Sequence, residues 1–283
     1  MRIRGRELVG GVAAGAVLGL GLYDALRGLD PWSLRPASCL PVGCFCEAVS
    51  GGTLAQPVNS VTSLAFVVAG VAAWLRRKDV GPRTVERRLV IALGLVLVVL
   101  GVSSFLYHAT LSYAGQVVDI AGMYLLGTLL AAGALVRRRL LHPGVAVVGY
   151  VVVNALLAVV QYMAPDTRRI LFAVVLMPGV FLELAPSVRT RAIETSLACV
   201  AVGYVLWLLD SWGTWCDSTS IWQGHGAWHI LGAAAAYLLV DHYRRSVGGL
   251  ATRGPAPVSE PRGVLTGSPA ERSPATPPAR RES

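Results

Sequence analysis

Apolar runs recur eight times along this chain, at residues 9–26, 59–75, 89–109, 117–136, 144–163, 168–185, 192–211 and 222–243. Each is close to the ~20 residues that a helix rising 1.5 Å per residue needs to cross a hydrocarbon core of about 30 Å. The pattern predicts an all-α polytopic membrane protein. Span 168–185 is the weakest, because Pro178 and Glu183 interrupt it; membrane helices tolerate a proline where neighbours satisfy the freed carbonyl. The first span follows Arg2, Arg4 and Arg6, as a signal peptide would. Asp24-Ala-Leu-Arg27 is a poor small-residue cleavage site, so an uncleaved anchor is expected.

Composition agrees with the pattern, since 54% of the 283 residues are hydrophobic and only 14% are charged, against about 25% charged in an ordinary soluble domain. The net charge of +9 matters through its placement. Arg76, Arg77, Lys78, Arg83, Arg87 and Arg88 fill one loop, Arg137 to Arg139 another, and Arg189, Arg191, Arg244 and Arg245 lie at later turns of the same side. The positive-inside rule makes these loops, and both termini, cytoplasmic. The opposite loops hold few basic residues, chiefly Arg27, Arg35, Arg168 and Arg169. Charge dispersed over short juxtamembrane loops excludes a nucleic-acid-binding face. From Arg244 the chain turns to Pro, Ser, Arg and Gly, which predicts a disordered cytoplasmic tail at 244–283. The expected organisation is an N-terminal anchor at 1–28, an extracytoplasmic Cys-containing loop at 29–58, a helical bundle at 59–243, and the tail. A multi-pass protein of the cell membrane follows. No repeat or soluble domain is visible, and the oligomeric state is not legible.

Candidate chemistry sits at the ends of the apolar runs. His225 and His229 are spaced i, i+4 in Gln223-Gly-His-Gly-Ala-Trp-His229, so a helix projects both from one face. Ser104 and His108 repeat the spacing. The alternation of sides places Ser104, His108, Asp119, His225 and His229 at one depth near the extracytoplasmic face. His142 and His242 fall at the cytoplasmic ends, about 30 Å away. A lone interfacial histidine is more often a helix-end residue than a ligand. Three at matched depth beside Asp119 favour a metal site, because ionisable groups inside spans are costly and usually functional. Three neutral imidazoles with one open position form the usual protein ligand set of catalytic zinc. Asp119 is then either a fourth ligand or a proton carrier. Ser104 is read equally as a helix-contact serine or a site residue. Cys39, Cys44, Cys46 and Cys216 lie in segments assigned outside, where disulfides form. Cys46–Cys216 and Cys39–Cys44 are candidate pairs, with a structural zinc site as the rival, and spacing alone does not fix the connectivity. Trp207, Trp212, Trp215, Trp222 and Trp228 share that side, as an interfacial belt or a rim where a lipid headgroup enters.

Ser104-x3-His108, the stretch from Thr110 to Asp119, and Gln223-Gly-His225-Gly-Ala-Trp-His229 resemble the alkaline ceramidase family of the CREST superfamily. The resemblance covers roughly residues 40–243, seven spans, and leaves the first span as an addition. It implies a ceramidase-like seven-helix bundle in which Zn²⁺ held by His108, His225 and His229 hydrolyses the amide of ceramide to a sphingoid base and a fatty acid. It further implies Asp119 as proton carrier, Ser104 as oxyanion donor, and a Cys46–Cys216 disulfide. Eukaryotic relatives carry an acidic calcium-binding loop before the first core helix. Here only Glu47 is an acidic ligand of that kind, so calcium regulation is not expected. The competing readings are a zinc-stabilised receptor or sensor without turnover, a hydrolase of another lipid amide or ester, and a bis-histidine haem protein.

Overall fold

The computed structural model describes residues 5–29, 33–40, 43–185 and 189–252. Eight helices follow in chain order: α1 (Gly5–Leu26), α2 (Pro57–Arg76), α3 (Val85–Thr110), α4 (Tyr113–Arg137), α5 (Pro143–Met163), α6 (Arg168–Leu184), α7 (Arg191–Ser211) and α8 (Gly224–Thr252). Each overlays one of the eight apolar runs. No strand occurs among the described residues beyond an isolated bridge between Pro36 and Ser112. Local chemistry sets the starts. Pro57 and Pro143 occupy first-turn positions that need no N–H, and the side chains of Thr84, Ser112 and Thr190 accept from Arg87, Gly115 and Ile193 amides. His142 caps α5 in the same way, a structural role in keeping with its exclusion as a ligand. α8 continues to Thr252, past the expected end of the bundle at 243; residues 253–283 of the expected tail lie outside the described ones.

Helices α1 to α5 and α7 are long and apolar enough to cross a membrane. The other two are compromised by polar content. α6 has 17 residues, opens on Arg168 and Arg169, and contains Pro178 and Glu183. α8 carries His225, His229, Asp241 and His242, all buried. Glu183 of α6 and these four residues of α8 are turned into the bundle rather than toward lipid, as a low-dielectric environment requires.

The core lies where α2, α3 and α8 meet, around Phe66, Leu93, Leu97, Leu100, Leu239 and Tyr243. α4 packs on α3 and α6, and α7 on α8. α5 leaves Val145, Val147, Val148, Val151 and Val152 exposed, an apolar face suited to lipid. α1 packs chiefly on α2, and its buried residues are Gly11, Gly15 and Gly19. A Cβ at Gly11 would lie 2.6 Å from the Val68 carbonyl oxygen, so close approach explains these glycines. The first helix is thus appended to a seven-helix body.

The two ends of the bundle differ. At one, Arg137 donates to both Glu183 oxygens (2.5 and 2.6 Å) and lies over the Tyr243 ring. His242 Nε2 is 2.9 Å from Glu183, its Nδ1 is 2.9 Å from the Thr190 hydroxyl, and Arg76 pairs with Asp241 at 2.5 Å. His242 is therefore part of an ion-pair network. Segments 33–40 and 43–56 cross the other end. They are fastened by Ala37 N–H to Leu111 (2.8 Å), Tyr113 N–H to the Arg35 carbonyl (2.7 Å) and Ala55 N–H to Ala109 (2.9 Å).

Candidate metal centre

His108 occupies the last turns of α3, Asp119 the second turn of α4, and His225 and His229 the first two turns of α8. The helix ends bring them together at the fastened end of the bundle. The ring nitrogens of His108, His225 and His229 available to a metal all lie within 4.8 Å of one another, and the three side chains are buried.

Hydrogen bonds decide which nitrogen each ring offers. Gln56 donates its Nε2 to the Glu47 carbonyl (3.1 Å), so its Oε1 accepts from His108 Nδ1 at 2.9 Å. That leaves the lone pair of His108 Nε2 facing the centre. Thr62 donates its one hydroxyl proton to Val58 (2.8 Å), so it accepts from His229 Nδ1 at 3.1 Å. His229 Nε2 is freed in the same sense. His225 Nε2 lies 3.1 Å from His108 Nε2. Two neutral nitrogens gain little from facing each other so closely, whereas a tetrahedral zinc with arms of about 2.0–2.1 Å spaces its nitrogens roughly 3.3–3.4 Å apart. The residues present fit that group. Space for a haem between these two rings does not exist at this separation.

Asp119 and Ser104 line a cavity with His225 and His229. The Ser104 hydroxyl lies in hydrogen-bonding reach of the Asp119 carboxylate. The cavity continues along the bundle past Leu100, Met123, Leu126, Phe172 and Leu176 to Leu130 and Leu239. From Asp119 to Leu130 on α4 is roughly 16 Å at 1.5 Å per residue. Its volume of about 110 Å³ is several times the ~10–15 Å³ that one water requires, and its walls are mostly apolar, which suits a hydrocarbon chain more than a polar solute. Trp228 belongs to this wall, while Trp212, Trp215 and Trp222 are exposed at the same end.

Several supporting residues carry no signal in the sequence. Gln56, just before α2, and Thr62, within it, orient two of the histidines, although α2 has no histidine of its own. Buried Asp210, at the end of α7, accepts from His225 N–H with one oxygen and from Cys46 N–H with the other, both at 3.0 Å. It caps the start of α8 and fixes the loop above it. Gly224 lets that start approach α7, because a Cβ there would collide with the Leu206 carbonyl. Cys39 pairs with Cys44 and Cys46 with Cys216, as the candidate pairs had it, and Phe45 between them stacks on the His225 ring. Glu47 spends both carboxylate oxygens on the amides of Val58 (2.6 Å) and Asn59 (2.8 Å). Burial raises its carboxyl above the usual range, and those two donors pull it back. Both Glu47 oxygens are thus engaged at the start of α2.

Comparison with curated proteins found no match. The family model for ceramidases matches residues 45–246. That stretch takes in α2 to α7, most of α8, the three clustered histidines, Ser104 and Asp119, and it leaves the appended α1 outside. With its apolar helices, its buried histidine cluster and a mostly apolar cavity lined by two of those histidines, the protein belongs to the ceramidase family.

Proposed function

We propose that the protein is a zinc-dependent amidohydrolase that cleaves the amide of ceramide, or of a closely related N-acyl lipid, to a sphingoid base and a fatty acid. The observation that carries this reading is the convergence of three buried imidazoles on one point, two of them lining an apolar cavity together with Ser104 and Asp119. His108, His225 and His229 hold the ion. Bound there, Zn²⁺ supplies Lewis acidity toward the amide carbonyl and toward water. Asp119 accepts the proton of the attacking water and delivers it to the departing amine, a role worth about 10²–10⁴-fold in rate. Ser104 turns its hydroxyl from Asp119 to the developing oxyanion. The acyl chain lies along the cavity toward Leu130.

Two features support placing the centre on the extracytoplasmic side with both termini in the cytoplasm. The disulfides lie at the centre's end of the bundle, where an oxidising compartment is needed. Arg76, Arg77, Lys78, Arg83 and Arg137 to Arg139 lie at the other.

The test uses purified protein in detergent or nanodiscs. Bound metal is quantified, and fatty acid released from ceramide is followed by mass spectrometry beside an N-acyl amino lipid and a lipid ester. One zinc per chain and turnover of ceramide are expected, and His225→Ala should lose both. Full zinc and full turnover in His225→Ala would overturn the mechanism. Stoichiometric zinc without turnover of any lipid would make the protein a zinc-stabilised receptor instead.

A further inference from the structure

Imidazoles that bind metals are normally oriented through their second ring nitrogen. His108 and His229 follow that rule, through Gln56 and Thr62. His225 does not: its Nδ1 is buried and has no hydrogen-bond partner among the described residues. What meets this ring is Phe45, stacked on it with centroids 3.9 Å apart and planes 28° apart, and 4.9 Å from the His108 centroid.

The placement of Phe45 is itself constrained on both sides. Cys44 before it is tied to Cys39, and Cys46 after it to Cys216. The Cys46 amide donates to the same Asp210 carboxylate that receives the His225 amide. Ring and backbone of His225 are thus both referenced to one short, cross-linked segment.

We infer that Phe45 is the positioning residue of His225, its planar face doing for this ring what Gln56 and Thr62 do for the other two. The inference rests on the zinc reading of the cluster. A residue that merely filled space would be replaced by leucine at little consequence to the metal. A stack needs a flat ring.

The experiment compares wild type, Phe45→Leu and Phe45→Tyr, each in detergent, by Co²⁺ and Zn²⁺ affinity in competition with a chelator and by the visible spectrum of the Co²⁺ form. Circular dichroism checks helix content, and Phe45→Met replaces the leucine variant should that fail to fold. Expected are a metal affinity lower by about ten-fold or more in Phe45→Leu, a changed Co²⁺ band shape, and recovery of both in Phe45→Tyr. Wild-type affinity and spectrum in a folded Phe45→Leu would overturn the inference while leaving the zinc reading intact. Absence of metal binding in the wild type would overturn both.

Discussion

Gln56 grips His108 twice: its backbone N–H donates to the His108 carbonyl at 3.0 Å, and its side-chain oxygen accepts from the ring. Loss of the amide leaves Nδ1–H buried without an acceptor and the ring free to turn. Gln56→Ala should therefore weaken metal binding about 10–100-fold while helix content is kept, measured by chelator competition. Unchanged affinity would mean that the backbone bond alone suffices. Asp119 makes a complementary prediction, because the proton-carrier role separates chemistry from binding. Asp119→Asn should keep the full complement of metal and lose roughly 10²–10⁴-fold in turnover. A variant that loses the metal instead would show Asp119 to be a ligand.

At the scale of elements, the site is an assembly of helix ends. The end of α3, the start of α4 and the start of α8 carry the clustered histidines and Asp119, and α2 and α7 carry groups hydrogen-bonded to His229 and His225. α1 takes no part. It rests on α2 through Gly11, Gly15 and Gly19, so a large side chain there should dislodge α1 and leave the centre as it was. Gly11→Leu is expected to raise the labelling of a cysteine introduced on the α2-facing side of α1 without changing metal stoichiometry. Metal lost along with the α1 contact would instead make the helix a structural part of the catalytic body.

Across the whole molecule, polarity is gathered at the two ends of an apolar bundle. One end holds His108, His225 and His229, and the other the network of Arg137, Glu183, Glu86 and His242. A buried ion pair adds little over well-packed apolar groups, but removing one partner strands a charge at about 3–5 kcal/mol. Glu183→Leu should thus destabilise the fold by that order in a thermal or denaturant series. The double variant Arg137→Met with Glu183→Leu should recover part of the loss, because it removes the stranded guanidinium but leaves Glu86 without its partner. Additive losses in the double variant would mean that the two side chains are uncoupled and that a stranded charge is not the source of the cost.

The amino-acid sequence by itself determined the eight helices and the split of charge between the two ends, and it singled out Ser104, His108, Asp119, His225 and His229, which the fold brings to one end of the bundle. These are local signals: a run of apolar residues long enough to cross a bilayer, a cluster of arginines in a loop, histidines one helical turn apart. Alternation of sides along the chain then brought distant helix ends to one depth without any coordinates. The status of α6 and α8 was less legible, because a hydropathy pattern does not reveal that Glu183, Asp241 and His242 are turned inward and paired. Only the tertiary structure decided which residues hold the histidines. Gln56 is 52 residues from His108, and Thr62 is 167 from His229. Glutamine, threonine and phenylalanine are common side chains that acquire a role only from what they touch. Which cysteines join is likewise a matter of distance in space. Covalent order along a chain fixes what can form locally, and the packing of helices against one another decides what meets.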